Sequence, residues 1–280
     1  MAEETRSVPT AGVAMTAIGV AMIRMRESLR PDRLYDDPLA AVFVDAARTG
    51  FDDERWARFE ALADQFYEAR SVAVRLVDDD IRDGIAAGCE QIVLLGAGLD
   101  TRAFRLGLAP GIHFFELDLP ELFAFKEPLL ASHDARPTCV RRVVAADLRE
   151  DWAKAVRESG FRVDWPTQWI DEGVLGYLPR EQAYAVAGTV TELSSTGSRF
   201  GVGRFQTDAA APSYRALRDL VSGAGDRPTP INGLGNDAET WFGTHGWRTS
   251  FRAWDDLAAP YGRPVTMNDP QAGNILAVRE

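Results

Sequence analysis

At 280 residues the chain is long enough to bury a full core, either as one large domain or as a domain with a cap. A hydrophobic content of 46% and a charged content of 26% are typical of a globular protein in water. The formal net charge of -11 disfavours nucleic acid and anionic membranes as partners, because both require a basic surface.

The cysteine count and the N-terminal segment bear on location. Cys89 and Cys139 are the only cysteines, which predicts neither a disulfide framework nor a zinc or other metal site and favours a reducing compartment. The apolar stretch 11–23 follows Glu3 and Glu4 instead of basic residues, and it is too short to span a bilayer. We therefore expect a cytoplasmic protein without a membrane segment.

Helical spacing of apolar residues dominates the first part of the chain. It predicts helices over 13–29, 39–47, 51–69 and 72–87. This is more helix than a bare nucleotide-binding fold places before its first strand. The sequence therefore predicts an N-terminal helical cap over residues 1–88.

From residue 89 to residue 280, strand and helix patterns alternate. Strands are predicted at 91–95, 112–117, 140–145, 163–170, 198–205, 247–252 and 274–278. Helices are predicted at 100–107, 120–132, 150–158, 180–193 and 237–243. The alternation is typical of an α/β fold with a doubly wound, seven-stranded, mostly parallel sheet. A Gly/Pro-rich stretch interrupts it, and we expect a substrate-side insertion around residues 206–245.

A glycine turn follows the first predicted strand directly. Gly96-Ala97-Gly98 leads into a helix, and Asp118 ends the next strand 20 residues after Gly98. Strand, glycine turn, helix and carboxylate are how α/β proteins bind an adenosine-containing cofactor. A dinucleotide-binding turn needs a third glycine where this chain has Thr101, and the neighbouring Asp100 would repel a pyrophosphate. The turn therefore favours S-adenosylmethionine, whose ammonium group suits a nearby carboxylate, over NAD.

Acidic residues end the second and third predicted strands as well. Asp118 can accept both ribose hydroxyls, and Glu116 on the same side of the strand competes for this role. We prefer Asp118 because it lies at the carboxyl tip, where ligands of open sheets bind. Asp147 can accept the adenine amino group while Leu148 packs on the ring, and helix capping is an equally good reading of Asp147.

Several segments carry a resemblance to a known family. They read QIVLLGAGLDTRAFRL from Gln91, FELDLP from Phe115, ADLR from Ala146 and EGVLGYLP from Glu172. Together they resemble the leucine carboxyl methyltransferase family, and more closely its bacterial branch, which includes the tetracenomycin-type polyketide O-methyltransferases. The segment RPDRLYDDPLA from Arg30 is similar to the N-terminal signature of that branch. The resemblance covers about residues 15–205 and implies a class I, Rossmann-like methyltransferase that uses S-adenosyl-L-methionine.

The resemblance also implies roles for individual residues. Gly96, Ala97 and Gly98 would form the turn under the methionine portion, Asp118 would hold the ribose, Asp147 and Leu148 would hold the adenine, and Glu172 would lie near the transferred methyl group. The family uses a basic residue before the first strand to bind the cofactor carboxylate. Arg75 is the first candidate here, Arg70 the second and Arg26 a weaker third.

The expected reaction is in-line SN2 transfer of a methyl group to a carboxylate or hydroxyl of a small molecule, of the polyketide-like secondary-metabolite type. A carboxylate acceptor is already nucleophilic at neutral pH, whereas a phenol needs a base. No catalytic residue is assigned from the sequence. Tyr177 and His245 are the candidates for positioning the acceptor.

Two alternatives stay open at this point. An NAD(P)-dependent oxidoreductase shares the strand and turn pattern but lacks the third glycine, and it would need a catalytic Tyr-Lys pair that is not evident, since Lys126 and Lys154 are the only lysines. A catalytically silent cofactor-binding partner protein is the other alternative. The sequence is compatible with a monomer or a homodimer.

Overall fold

The structure is a computed structural model that describes residues 8–10, 12, 14–205 and 233–280. The strands are β1 Gln91–Leu95, β2 His113–Asp118, β3 Val140–Ala145, β4 Thr167–Asp171, β5 Arg199–Arg204, β6 Trp247–Ala253 and β7 Gly273–Arg279. The α-helices of the described ranges are α1 Ala14–Ser28, α2 Pro38–Arg48, α3 Asp53–Ala86, α4 Arg102–Arg105, α5 Pro120–Ser132, α6 Trp152–Glu158, α7 Arg180–Glu192, α8 Ala238–Thr244 and α9 Trp254–Ala258.

The seven strands form one sheet in the order β3-β2-β1-β4-β5-β7-β6. Strands β1 to β5 are parallel, and β7 is antiparallel to both β5 and β6. All five residues of β1 are buried because helices cover both faces of the sheet centre, which explains the unbroken apolar run. The predicted doubly wound, mostly parallel sheet is confirmed. Because β1 pairs with both β2 and β4, the strand order reverses beside β1, where such sheets bind ligands.

The first three helices pack together ahead of the sheet. Helix α1 contacts α2 and α3, and an apolar cluster that includes Phe43 and Phe59 fills the space between them. The prediction of two helices over 51–87 is wrong, because α3 runs unbroken for 34 residues. No glycine or proline interrupts it near residue 70, and the small Ser71 is buried within it.

Helix α3 belongs to both layers of the molecule. Its first half packs in the cap, whereas Ile81 in its second half packs under the sheet against Ile92 and Ile170. The division into a cap over residues 1–88 and a sheet domain therefore stays a prediction. No described helix has both the length and the apolar character needed to cross a bilayer.

Of the predicted insertion around 206–245, residues 206–232 lie outside the described part of the chain. Within the remainder, Leu234, Ala238 and Phe242 are buried in the main cluster beside the sheet, so α8 packs on the core with one face. Strand β4 begins at residue 167 rather than 163, because residues 163–165 form a turn in which Val163 is exposed.

Candidate active site

A cavity of about 880 Å³ lies between the cap and the carboxyl ends of the parallel strands. Its walls come from α1 and α3 on one side and from the loops after β1, β2, β3 and β4 on the other. All the residues predicted for the glycine turn, the ribose and the adenine line it: Gly96, Ala97, Gly98, Asp118, Asp147 and Leu148. The structure therefore brings the predicted cofactor residues together in one place.

The glycine turn requires glycine at both ends. Gly96 and Gly98 have φ angles of +71° and +52°, a region that favours glycine. A Cβ atom on Gly96 would lie 2.7 Å from Cβ of Val174, which leaves no room for a side chain. The amide of Gly98 donates a hydrogen bond of 2.5 Å to Oδ2 of Asp118. The turn and the end of β2 are thus joined directly.

Asp118 and Glu116 point to different environments. The carboxylate of Asp118 lines the cavity and accepts hydrogen bonds from the amides of Gly98 and Leu119, while burial raises its pKa. Glu116 is fully buried away from the cavity, where its Oε2 lies 2.6 Å from Nζ of Lys126 and 2.7 Å from Nη2 of Arg141. The paired Glu116 cannot compete with Asp118 for a ligand.

Asp147 lies at the end of the cavity that follows β3. Arg149 holds it with a fork of hydrogen bonds, including one of 2.5 Å from Nη2 to Oδ2. These bonds lower the pKa of Asp147, which therefore stays ionised at neutral pH. Arg149 also lines the cavity, and Asp147 accepts its backbone amide at 2.9 Å.

Arg102 is the centre of a buried charge network that the sequence analysis missed. Its guanidinium is 1% exposed and lies 2.6 Å from Asp78, 2.5 Å from Asp100 and 2.7 Å from Glu172. Asp100 and Glu172 line the cavity, so Arg102 fixes two carboxylates of the wall. Arg102 belongs to a segment that resembles the family. Its partners Asp78 and Glu172, however, lie elsewhere in the sequence, on α3 and after β4.

Asp37 ties the cap to the glycine turn. It caps α2 by accepting the amide of Ala40, and its Oδ2 accepts the hydroxyl of Thr101 at 2.6 Å. The same oxygen lies 3.2 Å from Nη1 of Arg24, whose Nη2 donates to the carbonyl of Leu99 at 2.6 Å. The Tyr-Asp-Asp-Pro run of the N-terminal signature therefore supports the loop that carries the site.

The structure corrects the choice of Arg75 as the basic anchor. Arg75 does not line the cavity, because Asp79 and the carbonyl of Leu34 hold its guanidinium elsewhere. Arg26 is also absent from the cavity wall and pairs with the exposed Asp64. Arg70, the second candidate, lines the cavity; its Nη2 lies 3.3 Å from the carbonyl oxygen of Glu172, and its buried Nε has no partner.

Tyr177 lines the cavity where the chain leaves β4. Burial raises the pKa of its hydroxyl, against smaller opposing effects from the nearby Arg70 charge and a hydrogen bond with Thr16. The hydroxyl therefore stays protonated at neutral pH and can donate a hydrogen bond.

His245 does not line the cavity, so the prediction that it positions the acceptor is corrected. The ring is exposed, stacks on Trp241 at 3.9 Å between centroids, and does not line the cavity. His245 precedes β6, which runs in the same direction as β1 to β5 because both β5 and β6 are antiparallel to β7. The start of β6 is therefore at the edge of the sheet opposite the cavity. Within the described residues, no group of three His, Cys, Asp or Glu side chains is arranged to hold a metal.

The fold and the cavity define the class I methyltransferase architecture, and comparisons with known proteins agree. A candidate methyltransferase from Thermobifida fusca superposes with a TM-score of 0.57 at 18% identity, covering 99% of this chain and 97% of its own. A candidate S-adenosyl-L-methionine-dependent methyltransferase from Parafrankia sp. is 39% identical, over 96% of this chain and 88% of its own length. Another from Streptomyces coelicolor is 35% identical over the whole of both chains.

The family follows from a direct match. A family model described as leucine carboxyl methyltransferase matches residues 17–191. The chain belongs to the leucine carboxyl methyltransferase family, and it is an S-adenosyl-L-methionine-dependent methyltransferase. These findings give no support to the NAD(P)-dependent oxidoreductase considered from the sequence.

Proposed function

We propose that this methyltransferase transfers the methyl group to an oxygen that is already ionised, on a small molecule of the secondary-metabolite, polyketide-like type. A carboxylate fits this description best, and a strongly acidic phenol is the second acceptor type. The observation that carries the proposal is that the described residues lining the acceptor end of the cavity include no free base.

The residues of the cavity fit the cofactor. The Gly96–Gly98 turn packs closely against Val174 and Ala17 and presents backbone to the cavity, and Asp118 offers an acceptor for ribose hydroxyls. The unpaired Nε of Arg70 suits the cofactor carboxylate, and the Arg102-fixed carboxylates of Asp100 and Glu172 suit its ammonium. When bound, S-adenosylmethionine supplies a methyl group activated by its sulfonium.

The order of the strands indicates how the cofactor would be oriented along the cavity. Adenine residues follow β3 and the ribose residue follows β2, whereas the glycine turn follows β1. The next strand in the sheet is β4, so the methyl group and its acceptor would lie over Glu172 and Tyr177. The acceptor end is thus the part of the cavity beyond β1, over β4 and β5 and under the cap.

No histidine or lysine can act as a base at this end. All three histidines and both lysines of the chain are in the described residues, and none of them lines the cavity. Among the carboxylates of the described wall, Glu172 and Asp100 pair with Arg102, and Asp147 pairs with Arg149. Asp118, the last residue of β2, and Glu121 line the cavity at the ribose position. An acceptor that enters ionised needs no proton transfer.

Tyr177 would position the acceptor rather than activate it. Its protonated hydroxyl can donate a hydrogen bond to an acceptor oxygen and hold it toward the methyl donor. Holding two reactants in line can supply ~7–11 kcal/mol of the barrier reduction, so no base is needed for a large rate gain.

Transfer of labelled methyl from S-adenosylmethionine to matched aromatic acids and phenols tests this proposal. We expect label in methyl esters, which release methanol in mild base, and a rate that does not rise with pH above neutrality. Tyr177→Phe should lower kcat about tenfold without changing the affinity for S-adenosylhomocysteine, because one hydrogen bond to the acceptor is lost. His245→Ala is the matched control and should change neither quantity.

Two results would contradict the proposal. Label found only in ethers of weakly acidic phenols, with a rate that rises through a pKa near neutrality, would require a base that the described residues do not provide. Cofactor binding without turnover of any acid or phenol would favour the silent cofactor-binding protein.

A further inference from the structure

The acceptor end of the cavity has an apolar wall on the side of β5 and the C-terminal segment. Phe205 directly after β5, Trp254 at the start of α9 and Met267 all line the cavity. The rings of Phe205 and Trp254 meet edge to face, with centroids 5.8 Å apart and planes at 71°. We name these three residues the acceptor wall.

The acceptor wall leaves apolar surface uncovered. Five large apolar side chains of the described residues are exposed, and two of them, Phe205 at 41% and Met267 at 43%, line the cavity. Trp254 donates its indole N–H to the carbonyl of Val265 at 2.8 Å, so it presents only hydrocarbon to the cavity. Exposed apolar surface gathered at a cavity is typical of a ligand site.

The C-terminal part of the acceptor wall is held in place by polar contacts. The carboxylate of Asp255 accepts the amides of Met267 and Asn268 at 2.7 and 3.0 Å. Arg263, 4% exposed, lies 2.7 Å from the fully buried Glu27 of α1.

The same glutamate reaches a second cap helix. Glu27 also accepts the hydroxyl of Tyr67 on α3 at 2.6 Å. The segment that carries Met267 is thus fastened to two cap helices.

We propose that the acceptor wall of Phe205, Trp254 and Met267 selects acceptors whose body is a flat aromatic ring system. Two rings set at an angle offer both stacking and edge contacts to a third ring, and a thioether packs well against aromatic edges. A flexible aliphatic chain gains neither contact. This inference rests on the proposed function, because it takes the β5 side of the cavity as the acceptor end.

Calorimetric titration of the protein loaded with S-adenosylhomocysteine tests the acceptor wall. The probes are naphthoic acid and octanoic acid. Both carry a carboxylate, but the first has a flat aromatic ring system and the second a flexible aliphatic chain. We expect naphthoic acid to bind about tenfold more tightly, which corresponds to the energy of aromatic contacts. Phe205→Ala and Met267→Ala should each remove most of this preference for naphthoic acid. Phe205→Leu keeps an apolar side chain without a ring, and its preference should be smaller than that of the wild type.

Leu29→Ala provides the matched control, because Leu29 is 80% exposed and lies outside the cavity. It should leave the preference within about twofold of the wild type. Equal binding of the two acids would contradict the proposed selectivity of the acceptor wall. So would a preference for naphthoic acid that survives both Phe205→Ala and Met267→Ala. If neither acid binds the loaded wild-type protein, the proposed function fails instead, because its acceptor is an ionised oxygen, so the two failures are distinguishable.

Discussion

The two ends of the cavity are built in different ways. The cofactor end is polar, and its residues follow three consecutive strands between residues 91 and 149. Backbone amides and paired charges fix its side chains, as in the contact between Gly98 and Asp118. The acceptor end is largely apolar and combines α1, α3, the turn after β4, the end of β5 and the C-terminal segment.

This difference shows how one fold can keep a cofactor and vary an acceptor. The cofactor end depends on local backbone geometry and on buried charges that cannot be changed singly without leaving a partner unpaired. The acceptor end depends on the size and shape of a few apolar side chains, which can change with a smaller effect on stability. Substitutions at the two ends should therefore differ in their effects on stability and on binding.

Arg102→Met should have the largest effect of all. The change leaves the buried carboxylate of Asp100 and the partly exposed carboxylate of Glu172 without their cation, and removing one partner of such a network costs ~3–5 kcal/mol. Urea unfolding should report this loss as a lower free energy of unfolding, or the variant should not fold. Arg58→Ala, which breaks an exposed ion pair with Glu54, should leave the unfolding midpoint unchanged. A loss below about 1 kcal/mol in Arg102→Met would show that the network is not needed for stability.

Asp118→Ala should weaken S-adenosylhomocysteine binding by at least about tenfold, because the ribose hydroxyls lose their acceptor and the Gly98 amide loses its partner. Titration calorimetry measures the change. Asp134→Ala removes an exposed carboxylate far from the wall and should leave the affinity unaltered. An unaltered affinity in Asp118→Ala would move the ribose site elsewhere.

Arg70→Ala should weaken S-adenosylhomocysteine binding about tenfold, whereas Arg75→Ala should stay within about twofold of the wild type. The reason is that Arg70 lines the cavity and its buried Nε has no partner, while Asp79 and Leu34 already hold Arg75. The opposite ranking of the two variants would restore Arg75 as the anchor and contradict the described cavity.

The affinity for S-adenosylhomocysteine should fall on acidification, starting at a pH above the ordinary range of an aspartate. Burial raises the pKa of Asp118, so its ionised, accepting form is lost earlier as the pH falls. Calorimetry over a pH series that descends from neutrality should record the decline, and Asp118→Asn should flatten it because an amide does not titrate. A decline of equal size in Asp118→Asn would assign the effect to another group.

The cofactor end could be predicted from the sequence because its signals are local. Strands β1 and β3 and helix α5 have the predicted bounds, since each is a short apolar run or a helical pattern between clear turn residues. The ribose and adenine residues follow strands directly, so the topology alone brings them to one edge.

The remaining features depend on contacts between distant segments. Arg102 meets Asp78 on α3 and Glu172 directly after β4, and nothing in the local pattern marks these partners. Arg75 and Arg70 lie on one helix, and only the direction of each side chain decides which one reaches the cavity. The strand order would have placed His245 at the edge of the sheet opposite the cavity. The sequences of β6 and β7 do not predict that order.

We propose that the cavity beside β1 binds S-adenosylmethionine through the Gly96–Gly98 turn and Asp118. Calorimetric titration of the wild-type protein with S-adenosylhomocysteine and, separately, with NADH tests this assignment. We expect saturable binding of S-adenosylhomocysteine that Asp118→Ala weakens, and no binding of NADH. Binding of NADH without binding of S-adenosylhomocysteine would contradict it.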